Sequence, residues 1–289
     1  MLVRLGVAIF WLIHLLPFRF IVAIGNGLGV VAYPFARERR HVGMINLRLC
    51  FPEMSDAERN RLLHAHFKMF MRGVIERSLL WWGSAERINA LIRVDGVEHF
   101  EAVRGQPMIL LTPHFVGMDA GGQWIAQQVD TVCMYANQKN MYLTDLLLRK
   151  RARFRNQYLY SRQEGLRPIL KGMRKGLPFI YPPDQDQGVR DGAFIPFFGV
   201  PAATMTSVPR ISQITGAKIV PSITRVLPGG AGYVLTFYPA WDNFPSGDDI
   251  VDARRMNAFI EDRIREMPEQ YFWLHKRFKT RPEGEQRFY

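Results

Sequence analysis

The stretch MILLTPHFVGMDAGGQWIA, residues 108–126, decides the fold. Its apolar start, MILLTPH (108–114), predicts a buried strand, and the residues after it predict a helix over 116–128. This change from strand to helix is typical of α/β chains. Open α/β sheets bind ligands where strands end and helices begin, so we expect the functional site at this junction.

The chain on both sides of this stretch continues the alternation. Further strands are expected at residues 91–97, 131–137, 178–183, 217–224 and 232–240. Further helices are expected at residues 40–50, 141–154, 166–175, 204–215 and 249–266, and a long one from a capping box at Ser55 and Glu58 to about Trp82. No linker or internal repeat is visible in the sequence, so we expect one domain over residues 36–289 and an N-terminal anchor over residues 1–35.

Composition limits the class of protein. With 48% hydrophobic residues in 289, the chain can bury enough surface to fold, which excludes intrinsic disorder. The two cysteines, Cys50 and Cys133, make no disulfide framework and favour a reducing compartment. The net charge of +12 is compatible with nucleic acid, anionic lipid or an acidic protein as partner. A nucleic-acid partner is not expected, because no binding motif is recognisable.

The N-terminal segment is membrane-like. Residues 5–16 and 20–35 are apolar and are separated by Pro17 and Arg19. Each half is shorter than the roughly 20 residues that span a bilayer, so the pattern fits one imperfect span, a kinked span or a shallow hairpin. The alternative is a buried amphipathic hairpin of a soluble protein. The basic run RERRH (37–41) places the following chain in the cytoplasm by the positive-inside tendency.

His114 and Asp119 form the candidate catalytic pair. On one continuous helix they would lie about 140° apart, on different faces. They meet only if His114 precedes the helix in extended backbone, which Pro113 favours. A carboxylate on one ring nitrogen fixes the tautomer and leaves the other nitrogen as a base at neutral pH. The alternative is a core histidine whose hydrogen bond a carboxylate satisfies.

Five stretches together resemble a known family. His-x4-Asp after an apolar strand resembles the glycerolipid acyltransferase superfamily. Four further blocks resemble the bacterial lipid A biosynthesis acyltransferases of the lauroyl and myristoyl type, in the family's order over residues 1–289: HVGMINLRLCFPEMS (41–55), PDQDQG (183–188), FIPFFGVPAAT (194–204) and EQYFWLHKRFKTRPEG (269–284). Many members carry Glu where this chain has Asp119.

The resemblance implies a fold, an activity and a location. The fold would be a three-layer αβα domain with a mixed central sheet, like that of glycerol-3-phosphate acyltransferase, behind an N-terminal anchor helix or hairpin. The enzyme would sit on the cytoplasmic face of the inner membrane and move a fatty acyl chain from acyl carrier protein to a hydroxyl of a Kdo-bearing lipid A precursor. Anionic membrane lipids are further expected partners. No cofactor or metal is expected, since phosphopantetheine enters as part of the donor.

Direct transfer is the expected mechanism. His114 would remove the proton from the acceptor hydroxyl, and Asp119 would orient the ring and stabilise the imidazolium. The chain has no GxSxG motif, and Cys133 has no neighbouring base in the sequence, so a ternary complex is favoured over an acyl-enzyme. Two other functions share parts of this pattern: acyl transfer to a glycerophosphate or aminolipid, and lipid binding at a membrane surface without catalysis.

Residues 149–155, RKRARFR, hold five cations and no acid. The resemblance implies an arginine here that binds phosphate or stabilises the transition state. Arg151 is the first choice, with Arg149 and Arg153 next to it, since a guanidinium suits phosphate oxygens. The alternative for this basic stretch is a solvated helix face.

The loop with Asp184 and Asp186 resembles a calcium loop only at D-x-D-x-G, and Ile195 stands where that loop needs an acid, so no calcium site is expected. The resemblance implies an acid that positions the acceptor, and Asp186 fits it better than Asp184. The alternative is an Asx-type turn.

Phe194, Phe197 and Phe198 are candidates for an acyl groove, because each buried CH₂ contributes about 0.8 kcal/mol. The alternative for these residues is ordinary core. The cations that flank His275 in the last block, Lys276, Arg277, Lys279 and Arg281, could attract anionic headgroups, and His275 itself is not expected to be catalytic.

Overall fold

The structure is a computed structural model and describes residues 2–135 and 140–289, so the last two positions of the strand expected at 131–137 lie outside the described residues. The strands are β1 (Ile92–Asp95), β2 (Met108–Leu111), β3 (Thr131–Tyr135), β4 (Gln157–Ser161), β5 (Phe179–Tyr181), β6 (Gly192–Phe197), β7 (Val200–Met205), β8 (Lys218–Val226) and β9 (Tyr233–Phe237).

The helices alternate with these strands along most of the chain. They are α1 (Leu2–Ile13), α2 (Phe18–Phe35), α3 (Arg37–Cys50), α4 (Asp56–Trp82), α5 (Ala85–Asn89), α6 (Val97–Glu101), α7 (Met118–Gln128), α8 (Met141–Arg151), α9 (Arg167–Met173), α10 (Ser207–Thr215) and α11 (Asp249–Glu266).

The central sheet is mixed. Its strand order is β1-β9-β8-β2-β5-β3-β4. The strands from β8 to β4 in this order run parallel, whereas β9 pairs antiparallel with β8, and β1 runs parallel to β9. Strands β6 and β7 form a separate antiparallel hairpin. The mixed sheet that the family resemblance implied is therefore confirmed.

Helices cover both faces of this sheet. Along fully buried β2, Met108 and Leu110 pack with apolar residues of α5, α6 and α7. Ile109 and Leu111 point the other way and pack with residues of α9, α10 and α11. Alternate side chains of a strand face opposite sides of a sheet, so a run of four apolar residues needs a helix layer on each side. The three-layer αβα fold is confirmed.

Helix α4 begins as predicted. The Ser55 hydroxyl accepts a hydrogen bond from the Glu58 backbone at 3.3 Å, and the Glu58 carboxylate accepts from the Ser55 backbone at 2.7 Å. These two bonds satisfy amides that the first turn of a helix cannot pair. The rest of α4 crosses the molecule and packs against α2 and α7, which places Arg77 near the start of α7.

The N-terminal helices pack on α4 by one face and expose the other. An added Cβ at Gly25 or Gly29 would lie 2.5 Å from the backbone of α4, so both positions require glycine for the helices to touch. The opposite face carries exposed Leu28, Val30 and Val31. Within the described residues, α2 is the one helix that is long and apolar enough to cross a membrane, and only 22% of its 18 residues are buried.

Several elements differ from the expectations. Strands β4, β6 and β7 and the short helices α5 and α6 were not predicted, and the helix expected at 204–215 begins only at Ser207, because residues 200–205 form β7. The hairpin of β6 and β7 turns at Phe198 and Gly199, which have φ of 50° and 78°. A two-residue turn with both φ positive usually contains Asn-Gly or Asp-Gly, and the Phe-Gly pair gave no such signal.

Candidate active site

His114 lies beyond the carboxyl end of β2, before α7. Leu111 of β2 pairs with Tyr181 of β5, and the Thr112 backbone donates to the Tyr181 carbonyl at 3.0 Å. The chain then leaves the sheet, and α7 begins at Met118. The expectation that His114 precedes the helix is confirmed, and its side chain is 20% exposed.

Asp184, not Asp119, holds the imidazole. One Asp184 oxygen lies 2.7 Å from His114 Nδ1, and the other accepts from the His114 backbone amide at 2.9 Å. The reason is the register of β2 and β5: His114 and Asp184 each stand three residues beyond a pair of facing residues, Leu111 and Tyr181. The two parallel strands therefore deliver both side chains to one edge. The assignment of the orienting hydrogen bond to Asp119 was wrong.

The Asp184 carboxyl is ionised in this setting. It is 2% exposed, and burial alone raises its pKa, but the charge of His114 and the hydrogen bonds from it bring the pKa below its ordinary value. A carboxylate accepts and does not donate, so Nδ1 carries the proton. The other ring nitrogen, Nε2, then accepts a hydrogen bond from the Gln185 amide at 3.2 Å. In the neutral ring, His114 therefore has its lone pair at Nε2.

Asp119 belongs to a second charged group. It lies in the first turn of α7, where it accepts a hydrogen bond from Arg77 of α4, and Arg151 Nη2 of α8 is 4.0 Å away. Burial raises the pKa of Asp119, but the charges of Arg77 and Arg151 outweigh this and lower it. Two guanidinium groups share one carboxylate, so Arg77, Asp119 and Arg151 together carry a net positive charge. Arg77 was not predicted, because only the crossing of α4 and α7 brings it here.

A cavity of about 760 Å³ opens beside these groups. His114, Asp119, Arg151 and Gln185 line it together with apolar residues from several elements, among them Met118, Ile125, Leu147, Leu159, Leu170 and Ile214. This volume lies within the roughly 300–1,000 Å³ of small-molecule sites. A cavity with apolar walls, a base and a cationic group suits a ligand that has an uncharged hydrocarbon chain and a reactive polar end.

Of the three arginines predicted to bind substrate, the structure brings Arg151 to the cavity. Arg149 pairs with Asp145 at 2.6 Å on the exposed side of α8. Arg153 lies beyond the end of α8, donates to the Gly83 carbonyl and stacks over the Phe154 ring. Helix periodicity explains the difference between Arg149 and Arg151, because residues two apart on a helix point to different sides.

Asp186 does not line the cavity. It accepts from the Gly188 amide at 2.9 Å, which is the Asx-type turn weighed above, and from the Thr280 backbone at 2.7 Å. Its own backbone amide donates to His275 Nε2 at 3.1 Å. Burial lowers the pKa of His275 to about 4, so the ring stays neutral. Asp186 and His275 fasten the C-terminal segment to the loop that carries Asp184, which corrects the preference for Asp186 over Asp184.

The predicted acyl-groove phenylalanines also lie away from the cavity walls. Phe197 is fully buried against Tyr271 and Phe278, and Phe198 contacts Phe51 at the hairpin turn. Phe194 lies on the same hairpin, half-buried. Phe197 and Phe198 pack in the core around the β6–β7 hairpin, so the ordinary-core alternative is right for these two residues. Cys133 does line the cavity, but burial raises the pKa of its thiol and disfavours a thiolate.

Comparison with known proteins identifies the family. The model of the bacterial lipid A biosynthesis acyltransferases matches residues 1–280. The lipid A biosynthesis lauroyltransferase of Escherichia coli (strain K12) is 35% identical over 97% of this chain and 92% of its own. The palmitoleoyltransferase of that organism is 30% identical over 98% of this chain and 93% of its own. Its myristoyltransferase is 32% identical over 97% and 88%.

A solved structure, the 1-acyl-sn-glycerophosphate acyltransferase PlsC from Thermotoga maritima, is 16% identical with a TM-score of 0.40 and covers 84% of this chain and 97% of its own. This likeness is too distant to transfer any detail of the site. The resemblance indicated by the five sequence stretches is confirmed by the family model and by the relatives over nearly the whole chain. The chain therefore belongs to the bacterial lipid A biosynthesis acyltransferases and is an acyltransferase.

Proposed function

We propose that this enzyme moves a fatty acyl chain from the thioester of acyl carrier protein to a hydroxyl of a Kdo-bearing lipid A precursor. The observation that carries the proposal is the position of His114 at the edge of an apolar cavity, with Nδ1 held by a buried carboxylate and Nε2 next to the Gln185 amide. The relatives named lauroyl-, palmitoleoyl- and myristoyltransferase support a long acyl chain and a lipid A acceptor.

The reaction is a direct transfer. Nε2 of His114 takes the proton of the acceptor hydroxyl, in the place where the Gln185 amide now donates. The acceptor oxygen attacks the thioester carbonyl, the C–S bond breaks, and the leaving thiolate takes the proton back from the imidazolium. Asp184 stabilises the imidazolium that forms between these steps. A positioned general base contributes typically 10²–10⁴-fold, and the rest comes from orientation and charge stabilisation.

The group of Arg77, Asp119 and Arg151 supplies the positive charge. Its unbalanced guanidinium stabilises negative charge on the thioester oxygen or holds a phosphate of the acceptor. Asp119 positions both arginines and adds a negative charge to the cavity that His114 also lines. The apolar walls take the acyl chain, at about 0.8 kcal/mol for each buried CH₂.

The N-terminal helices bring the enzyme to the cytoplasmic face of the inner membrane. Because α2 packs on α4 along its inner face, it rests in the bilayer surface with its exposed face in contact with lipid, and does not cross. Leu12 and Val31 are more than half exposed, so replacing both with Glu should weaken binding to vesicles without unfolding the protein. Unchanged binding would contradict this placement.

An assay with purified protein, acyl-carrier thioester and lipid A precursor tests the reaction. Wild type should transfer the chain, and His114→Ala should lose at least about 10²-fold in turnover while keeping its thermal unfolding profile. The proposal fails if wild type transfers nothing, or if folded His114→Ala is as active as wild type.

A further inference from the structure

Helix α8 separates two concave surfaces. Leu147 and Arg151 face the catalytic cavity described above, whereas Tyr142, Leu146 and Lys150 face a second cleft of about 430 Å³. Arg149 lines that cleft as well. The spacing of these residues, at intervals of three, four and seven, is that of one helix face. One short helix therefore serves both the reaction site and the second cleft.

The opposite wall of the cleft is α1. Arg4, Val7, Ala8 and Trp11 line it, again at helical spacing. Trp82 of α4 also lines the cleft. The rest of α1 exposes Leu5, Ile9 and Leu12, and the start of α8 exposes three more apolar residues, namely Met141, Tyr142 and Leu143. The cleft is therefore flanked on both sides by exposed apolar side chains.

Three cations converge on the cleft without enough acids to balance them. Lys150 Nζ lies 4.7 Å from the centre of the Trp82 ring, and Arg4 lies 5.9 Å from that of Tyr142. In the described part of the chain neither Arg4 nor Lys150 has a carboxylate within ion-pair distance, and Arg149 pairs with Asp145 at the surface. Burial and the like charges of Arg153 and Arg149 lower the pKa of Lys150. A bound anion would relieve this repulsion.

We propose that the cleft between α1 and α8 binds the headgroup phosphate of an anionic bilayer phospholipid. A membrane lipid fits better than an acidic protein, because the cations sit between exposed apolar helix faces, and Trp11 and Tyr142 have the amphipathic rings that settle at a bilayer interface. The inference rests on the proposed membrane association. It adds a second contact, along α8, to the one made by the N-terminal helices.

The site has a consequence for the reaction. Lys150 and Arg151 are neighbours on α8, one in each concave surface. A phospholipid held by Arg4 and Lys150 would tie α1 and α8 together at the bilayer surface. The catalytic cavity, with Arg151 on its wall, would then lie close to the layer in which a lipid acceptor diffuses.

Sedimentation of the full chain with vesicles tests the site. The vesicles are phosphatidylcholine alone, or phosphatidylcholine mixed with phosphatidylglycerol. Arg4→Gln combined with Lys150→Gln should weaken binding to the anionic vesicles by about fivefold per cation, and so on the order of twentyfold in total. Binding to phosphatidylcholine alone should change little.

A control variant removes the same charge elsewhere. Arg174 and Lys175 are exposed beyond α9, on the opposite side of the sheet from α1. Their double change to Gln should cost markedly less binding than the change at the cleft. Circular dichroism and thermal unfolding verify that both variants are folded.

Three results would overturn the inference. Equal losses in both double variants would mean diffuse attraction and no site. Unchanged binding of the cleft variant, with wild type bound, would reject the site and leave membrane association standing. A cleft variant that loses affinity for acyl carrier protein, while its vesicle binding stays at the wild-type level, would assign the cleft to that protein. Absence of wild-type binding to anionic vesicles would instead reject the membrane association itself.

Discussion

Asp184 uses both carboxylate oxygens on His114, one on ring Nδ1 at 2.7 Å and one on the backbone amide at 2.9 Å. The first bond sets which nitrogen carries the proton, and the second fixes the chain that leaves β2. No other acid in the described residues makes a hydrogen bond to this ring. The imidazole is thus oriented by a side chain 70 residues further along the sequence.

Asp184→Asn should lower kcat by at least about 10²-fold and leave KM for the thioester nearly unchanged. An amide has one acceptor oxygen, so it cannot serve both donors. If its NH₂ faces the ring, Nδ1 becomes an acceptor and Nε2 carries the proton, which is the wrong tautomer for a base. Steady-state kinetics measure the effect, and a kcat equal to that of wild type would show that another group orients His114.

Asp186→Asn is the matched control for this change. Asp186 lies in the same loop, two residues on, but its carboxylate bonds to Gly188 and Thr280. We expect a loss of about 1–3 kcal/mol in the free energy of unfolding, since hydrogen bonds to a buried charge are lost. Turnover of the folded fraction should stay within severalfold of wild type, well above that of Asp184→Asn.

Arg77→Gln should move the acid limb of the pH profile of kcat/KM to higher pH. Burial raises the pKa of Asp119, and the charge of Arg77 is the largest influence that opposes it. Without Arg77 the carboxyl protonates at a higher pH, so its charge is lost earlier as pH falls. At neutral pH the loss in kcat/KM should be on the order of tenfold, because a hydrogen bond between charged groups contributes about 1.5–3 kcal/mol.

Two controls belong to the Arg77 experiment. Arg93→Gln removes an arginine from an exposed pair with Asp95 and should leave the profile unchanged. In the Asp119→Asn background, Arg77→Gln should shift the acid limb much less, because the contribution of the Asp119 carboxyl is gone. A shift of undiminished size there would mean that Arg77 acts on another group.

The individual helices and strands of this fold were largely predictable from the sequence, whereas the contacts between them were not. The strand at residues 108–111, the capping box at Ser55 and the closing helix at 249–266 depend on neighbours within a few residues, and all three are found. Asp184 was identified as a site residue, but its hydrogen bonds to His114 were not predicted, because they depend on β2 and β5 being adjacent. A usable signal existed: Thr-Pro-His and Tyr-Pro-Pro-Asp both follow apolar strands.

The phenylalanines near residue 197 show the limit of composition. An apolar run such as Phe-Ile-Pro-Phe-Phe suits a lipid groove and a protein core equally well. The pairing of β6 with β7, through a Phe-Gly turn, decided between them by placing Phe197 against Tyr271 and Phe278. Likewise, Arg77 lies at the site because α4 crosses α7, and no local sequence pattern predicts that crossing.

Gly25→Ala should destabilise the protein by about 1–3 kcal/mol, as overpacking does. The new Cβ would lie 2.5 Å from Arg72 Cα of α4, and backbone cannot swing aside as a side chain can. Gly27→Ala, on the free side of the same helix, meets nothing within 4 Å and should be neutral or stabilise by up to about 1 kcal/mol. Thermal unfolding in detergent compares the two, and equal effects would argue against the α2–α4 contact.

His66→Gln should reduce the decrease in the free energy of unfolding that occurs as the pH falls. His66 is fully buried, Nδ1 lies 2.9 Å from the Glu269 carbonyl, and burial lowers its pKa to about 4. The unfolded chain, with a histidine pKa near 6.5, binds the proton first, so the stability present above about pH 6.5 is lost as pH falls toward 4. For one histidine this amounts to on the order of 3 kcal/mol. Glutamine does not titrate and still offers an amide to Glu269, so the variant should lose less stability over this range.

His64→Gln, on the same helix and partly exposed, is the control and should keep the wild-type slope. Urea unfolding at pH 7 and pH 5 measures both, and parallel slopes for wild type and His66→Gln would contradict the assignment.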